Sequence, residues 1–283
     1  MKEILMEEQK QIALAILKSI ADFCDKQGLR YYLAYGTMLG AVRHKGFIPW
    51  DDDIDIMMPR DDYNKFLRDY DGYNDIYRVC SIEKDDSYPY TMVKVFDQRT
   101  KLEDFTLWKQ YPHAGVFVDI FPIDGLPLKA AEQEEIFKRQ QLLNLLLHGS
   151  CMKYTFSHHY VDSKDSCAKI KALGRTILKF AAITLMHPLS TQKLVKKINQ
   201  EACKYSFETS DNVSILIDCA SGNKREVLPR EIFERPRLYQ FEQYRFKGIS
   251  NYDFYLTHLF NNYMEMPPAN RRLPHHNFKV YWR

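Results

Sequence analysis

The sequence predicts an α+β fold: a mixed β-sheet core flanked by helices, followed by a largely helical C-terminal half. Three observations carry this. Apolar residues recur at helical spacing over residues 3 to 26. Between residues 31 and 125, short runs rich in β-branched and aromatic residues alternate with turn residues. After Pro127, glycine, proline and extended apolar runs become scarce, and residues 131 to 148 and 166 to 206 read as helices. The division expected is a core over 1–127 with its N-terminal helix, and an extension over 128–283 whose helices and late strands pack on that core as one integrated unit.

Bulk properties narrow the classes. With 283 residues, 45% hydrophobic and 14% aromatic, the chain can bury a substantial core. A formal charge of +3 with scattered Lys and Arg argues against nucleic acid as a partner. Six cysteines are widely spaced without a Cys-x-x-Cys pair, so neither a zinc knuckle nor a redox motif is supported. The start, MKEILMEEQK, is charged and helical in character and unlike an export segment, so a reducing cytoplasm is the expected compartment. The most apolar helical candidate, Ile177 to Met186, is interrupted by Lys179 and is too short to span a bilayer; it reads as a buried helix or as an interfacial helix at a membrane surface.

In chain order, Leu5, Ile12, Ile16, Ile20 and Phe23 mark the first helix, with Gly28 as its stop. Tyr31 to Tyr35 reads as a strand leading into Gly36-Thr37, a pair that lets backbone N–H groups approach a phosphate. Met38 to Val42 is a short helix whose N-terminus would face that phosphate. Arg43, His44 and Lys45 follow, either as a basic surface turn or as neutralising charge for a bound phosphate, with the planar fork of Arg43 the better match. Gly46-Phe47-Ile48-Pro49 is a turn, and Trp50 a core or pocket-wall residue.

Asp51, Asp52, Asp53 and Asp55 come next, ahead of Ile56, Met57 and Met58. Read as a strand of period two, Asp51, Asp53 and Asp55 share one face, while Ile54 and Ile56 turn to the core. Carboxylates about 4 Å apart repel by roughly 4 kcal/mol at an effective dielectric near 20. A hard divalent cation is the usual remedy. A solvated acidic loop is the bland alternative, but it leaves the intervening apolar residues unexplained. A calcium loop wants a Gly where this chain has Ile56.

Pro59 ends the strand, and Tyr63, Phe66, Leu67 and Tyr70 mark an amphipathic helix with Asp61 and Asp62 in its first turn. Tyr90 to Phe105 reads as two strands joined by Asp97 to Thr100; Lys94 and Arg99 are diphosphate-binding candidates or surface residues. Val116 to Ile120 has the makeup of a buried strand and carries one acid, Asp119, which needs a charged partner or a metal there. Asp124-Gly125 reads as a turn. His148, His158 and His159 fit no common ligand spacing and read as surface residues, with a loop around Tyr154 to Asp165. Val213 to Ile217 reads as a short strand, Leu238 to Phe246 as an edge strand, and the tail HHNFKVYWR either folds over the site or frays.

A Gly-hydroxyl turn followed by an Asp-apolar-Asp strand, with a third carboxylate on a later strand, is the signature of the nucleotidyltransferase fold. The stretch YGTMLGAVRHKGFIPWDDDIDIMMPRDDYNKF, Tyr35 to Phe66, closely resembles the opening block of the LicD family of phosphotransferases. That family includes bacterial phosphorylcholine transferases and the catalytic domains of fukutin-related proteins. The resemblance extends to the VDIFP run, where the family supplies its third carboxylate, and more weakly to Phe241-Glu242 and the Asn251 to Pro268 region. It covers roughly residues 20 to 276. The family's Gly near Asn261 is absent here.

The resemblance implies metal-dependent transfer of a phospho-alcohol from a CDP-activated donor, with release of CMP. Asp53, Asp55 and Asp119 would hold one or two Mg2+ ions, or Mn2+, with Asp119 as second-metal ligand or general base. Gly36 and Thr37 would position phosphate; Arg43, Lys45 and Lys94 would neutralise it. The donor expected is CDP-choline or another CDP-alcohol carrying ribitol phosphate, glycerol phosphate or phosphoethanolamine. The acceptor expected is a hydroxyl of a cell-surface glycan, such as lipopolysaccharide or teichoic acid, or its lipid-linked precursor, reached at the inner face of the membrane. Two other readings stay open: a nucleotidyltransferase releasing pyrophosphate, and a binding module without catalysis.

Overall fold

A computed structural model describes residues 1–70, 75–153, 181, 183–218, 224–274 and 276–283. Helix α1, Met6–Gln27, buries Ile12, Ile16, Ile20 and Phe23 on one stripe. It stops at Gly28, whose φ of 67° and N–H bond to the Cys24 carbonyl make a left-handed cap. The stripe lies across strands β4 (Val93–Asp97) and β6 (Phe117–Gly125).

These strands belong to a mixed sheet whose order is β1 (Tyr32–Leu33), β2 (Asp55–Pro59), β6, β4 and β3 (Tyr77–Cys80). Only the β2–β6 pair is parallel along this path. Helix α2, Tyr35–Arg43, follows β1, and α3, Arg60–Asp69, follows β2 and packs on β2 and β6. β5 (Thr100–Asp104) turns away from this sheet and pairs with the C-terminal strand β11 (Phe278–Trp282). The tail therefore folds back onto the body: Ile4 N–H donates to the Val280 carbonyl and Trp282 N–H to that of Lys2.

Strand β6 corrects one expectation. It runs straight through Pro122 and Asp124, so Asp124-Gly125 is not a turn. β4 pairs with β6 only over residues 117–120, and β7 (Asn212–Ser214) only at residues 124–125. Pro122 falls in the gap between them, where its missing N–H breaks no ladder bond on that side. Asp124 is fully buried, and Arg60 grips both its oxygens at 2.7 and 2.5 Å.

The second half is helical but less evenly than its composition predicts. Helices α4 (Ala130–Cys151) and α5 (Thr191–Ala202) pack together. The helix expected over 166 to 206 is interrupted at Pro188, and Ser190 caps the new helix through a bond from Lys193 N–H. Leu238 to Phe246 is not one edge strand but parts of two, β9 (Arg237–Phe241) and β10 (Tyr244–Gly248), in an antiparallel hairpin. Its turn uses Glu242 at φ 55°, with no glycine to announce it. Strand β8 (Leu228–Pro229) pairs with β7, and helix α6 (Tyr252–Phe260) packs near α2. The loop expected at Tyr154 to Asp165, His158, His159 and half of Ile177 to Met186 lie outside the described residues. Among the described residues, no helix is long and apolar enough to cross a membrane.

Candidate active site

Three adjacent strands place three ionisable side chains in one row. Asp55 on β2 stands in register with Asp119 on β6, and Asp119 in register with Lys94 on β4. All three line a cavity of about 530 Å³, together with Asp53. The row is fixed from behind by backbone bonds: Asp119 N–H to the Ile54 carbonyl at 2.9 Å and Ala34 N–H to the Asp55 carbonyl at 3.0 Å. The Lys94 ammonium donates to both Asp119 oxygens at 2.5 and 2.7 Å and sits 3.7 Å from the Phe117 ring centroid. Among the described residues, no donor meets the Asp55 carboxylate.

The acidic stretch itself is not a strand before Asp55. Residues 51–54 are irregular, so Asp51, Asp53 and Asp55 do not alternate along one sheet face. Helix α1 holds this segment instead: Gln9 Nε2 donates to the Asp52 carbonyl, and Lys10 Nζ to those of Ile48 and Pro49. The consequence is a second cluster beside the row. His276 in the returning tail meets Asp52 Oδ1 through Nδ1 at 2.8 Å and lies 3.7 Å from Asp53 Oδ2 through Nε2. Asp52, Asp53 and His276 bring three ligand atoms within 4.8 Å of one another. Asp53, Asp55 and Asp119 share the cavity without closing to that span, and Lys94 occupies both oxygens of Asp119.

The electrostatics follow from crowding. Burial, then the charges of Asp53 and Asp119, hold the Asp55 carboxyl well above the usual carboxylate range. Burial also raises Asp53, against the opposing charge of His276. Asp51 is pushed up to about 7 by burial and by Asp53 and Asp52. Burial works against the His276 imidazolium, but its hydrogen bond to Asp52 and the charges of Asp53 and Asp52 outweigh it and move its pKa up. Clustered oxygen ligands, costly to ionise and short of protein donors at Asp55, fit a hard divalent cation.

Four other candidates stand away from the cavity. Helix α2 begins at Tyr35, so Gly36 and Thr37 are its first turn, not a loop before it. Gly36 faces an acid: a Cβ there would fall 2.6 Å from Asp51 Oδ2. Thr37 Oγ1 accepts from Asp55 N–H at 2.8 Å and thereby sets where β2 starts. Arg43 ends the same helix, and its Nη1 donates to the Tyr263 carbonyl at 2.7 Å. Lys45 is exposed at φ 62° and caps the helix through the Val42 carbonyl. Arg99, the sixth candidate for phosphate or diphosphate, pairs with Asp97 instead, and of the six the structure brings only Lys94 to the cavity.

Several residues of the cavity were not legible: Tyr35, Phe121, His148, Asp218 and Glu226 also line it. His148 is thus a cavity residue, not a surface one. Tyr35 has φ 41°, an outlier for a bulky residue; its N–H donates to Tyr255 Oη at 3.1 Å, and its ring meets Phe121 edge-on at 5.4 Å. Burial, with the charge of Asp218, raises the Glu226 carboxyl to about 8. Asp218 and Glu226 come from the segments around β7 and β8, far from the acidic stretch in sequence, and carry no motif of their own. The backbone strain at Tyr35 and the raised Glu226 carboxyl flag these residues, and both arise only in the folded chain.

Comparison with known proteins adds the last observations. Residues 28–162 match the family model described as LicD/FKTN/FKRP, nucleotidyltransferase domain. Over 288 aligned positions, covering 99% of both chains, the sequence is 30% identical to the lipopolysaccharide cholinephosphotransferase LicD of Haemophilus influenzae. It is also 35% identical over 89 residues, 28% of this chain and 29% of the relative, to an uncharacterised protein of Rickettsia typhi.

Proposed function

We propose that this chain, which belongs to the LicD family, is a metal-dependent phosphotransferase that moves phosphocholine from CDP-choline to a hydroxyl of a cell-surface glycan, of the lipopolysaccharide type, or its lipid-linked precursor. The observation that supports this best is the row Asp55, Asp119 and Lys94 across three strands, facing a cavity that Asp53 also lines. Full-length similarity to a cholinephosphotransferase supports the choice of head group.

In this reading Asp53 and Asp55 hold Mg2+ or Mn2+, with Asp119 as a further ligand and His276 at the edge of the set. When bound, the cation neutralises charge on the diphosphate and on the oxygens of an in-line displacement. The chain's own groups do the rest. Lys94 fixes Asp119 and supplies positive charge to the cavity that would take the diphosphate. The acceptor oxygen attacks the phosphorus distal to cytidine, forming a new P–O bond. The bridging P–O bond breaks, CMP leaves with that electron pair, and the hydroxyl proton passes to a cavity carboxylate. Helix α1 and the tail hold the acidic segment still during these steps.

The test is CMP release from a panel of CDP-alcohols with Mg2+. Asp53→Asn and Asp55→Asn should lose turnover while remaining folded, and near-normal activity in either would overturn the assignment. Pyrophosphate release from CTP, without CMP release from CDP-choline, would replace it with nucleotidyl transfer.

A further inference from the structure

We propose that His276 ligates, through Nε2, the cation that Asp53 holds, with Asp52 as the residue that orients the imidazole, and that this nitrogen gives the site a preference for a first-row transition-metal dication such as Mn2+ over Mg2+. The inference rests on the metal-dependent reading above and deepens it by adding a ligand from the tail and by naming the class of cation.

The two ring nitrogens carry the argument. Nδ1 lies 2.8 Å from Asp52 Oδ1. A carboxylate only accepts, so Nδ1 carries the hydrogen there and the Nε2 of a neutral ring keeps its lone pair. Nε2 stands 3.7 Å from Asp53 Oδ2, beyond hydrogen-bond reach. Two ligand atoms bonded at about 2.1 Å to one cation lie about 3 Å apart when adjacent and about 4.2 Å apart when opposite. The observed spacing falls between these limits, so one ion can bond both atoms. A carboxylate on one imidazole nitrogen, with the other nitrogen left for a metal, is the arrangement that ligating histidines commonly adopt.

His276 is also held from outside the acidic stretch. Phe105 N–H donates to the Asn277 carbonyl at 3.0 Å, and β11 begins one residue later with Phe278 in register with Asp104 of β5. The imidazole meets the Phe117 ring edge-on at 6.2 Å and lies tilted against Phe278 at 5.4 Å. These contacts set the ring without help from an ion. They bring it to the cavity that Asp53, Asp55 and Asp119 line.

The donor set decides the kind of cation. Mg2+ is a hard ion that takes oxygen ligands and gives up its waters reluctantly. Imidazole suits the first-row transition metals better. Aspartates with one histidine therefore admit Mg2+ through oxygen alone and favour a metal that also takes the nitrogen.

The test is titration calorimetry of the full chain with Mn2+ and with Mg2+, each in the presence of CDP, together with electron spin-echo spectra of the bound Mn2+. The wild-type spectrum should show nitrogen coupling from a ligating imidazole. His276→Asn should lose that coupling and lower the ratio of Mn2+ to Mg2+ affinity by about tenfold or more. His148→Asn, at the other histidine lining the cavity, should keep both. Asp52→Ala should weaken Mn2+ binding by about tenfold with the coupling still present, and an unchanged affinity would remove its orienting role. Thermal unfolding in EDTA reports that each variant is folded. If the coupling is absent from wild type or survives in His276→Asn, or if the affinity ratio is unchanged in that variant, His276 is not a ligand while the phosphotransferase reading stands. Wild type that binds neither ion would refute both.

Discussion

Replacing Lys94 with methionine separates the two sources of positive charge at the row. Lys94 and Asp119 are about 7% and 5% exposed, and the ammonium bonds both carboxylate oxygens. Methionine has a similar length and apolar body beside the Phe117 and Tyr90 rings, over which the ammonium lies, but removes the charge. Breaking one partner of a buried pair costs about 3–5 kcal/mol, chiefly the penalty of the carboxylate left behind. At about 2.1 cal/mol/K of unfolding entropy per residue, a chain of 283 residues then loses roughly 5–8 °C in melting temperature. The assay is thermal unfolding at about pH 8, with EDTA and then with Mg2+. Because Asp119 would then face the cation with both oxygens free, Mg2+ should stabilise Lys94→Met more than wild type and recover much of the loss. A ligand at about 100 times its Kd contributes about 2.7 kcal/mol, which sets the scale of recovery for an ordinary site. Equal melting temperatures for variant and wild type in EDTA would refute the buried-pair argument. Equal gains from Mg2+ would refute Asp119 as a ligand.

Three further outcomes follow from particular residues. The Asp51 carboxyl stands at about 7 in the fold against 3.8 in the open chain, so ionising it costs stability as pH rises through that interval. Asp51→Asn should therefore be more stable than wild type in EDTA by a margin that grows by about 2–3 kcal/mol between pH 5 and pH 8, from about 1.4 kcal/mol per pH unit below the folded value; a constant difference across that range would contradict the assignment. Asn261 has φ 57° and ψ −116°, a region that favours glycine, so Asn261→Gly should raise the melting temperature by a few degrees, from about 1–2 kcal/mol of relieved strain. A Cβ on Gly40 would lie 2.4 Å from the Gly46 carbonyl oxygen, so Gly40→Ala should cost about 1–3 kcal/mol in a denaturant melt and loosen the connection that presents the acidic segment.

How much of this was readable from the chain depends on how local each feature is. The first helix, its stop at Gly28, the turn from β4 into β5 and the strand carrying Asp119 are local patterns, and the sequence spells them in period and composition. The acidic residues were legible as chemistry but not as geometry. Asp53 reaches the cavity from irregular backbone held by Gln9 and Lys10, and nothing within residues 51–55 encodes those distant donors. Arg43 and Lys45 were attractive for their charge, yet the helix runs from Tyr35 and carries them to its far end. Asp124 resembled a turn because its partner, Arg60, lies on another element. The missing glycine at Asn261 is the reverse case. The resemblance asks for glycine there, and the coordinates supply the reason in a positive φ.

The parallel pairing of β2 with β6 also bears on how the protein acquires its site. Asp55 and Asp119 become neighbours only through strands separated by α3, β3, β4 and β5, and a parallel pair cannot form by a local hairpin. Such a contact belongs to the slow, late part of folding, after its loop-closure entropy has been met. If β2 and β6 join only after the transition state for folding, a cation held by both acids finds no site there. Its stabilisation should appear almost wholly as slower unfolding, with the refolding rate left unchanged.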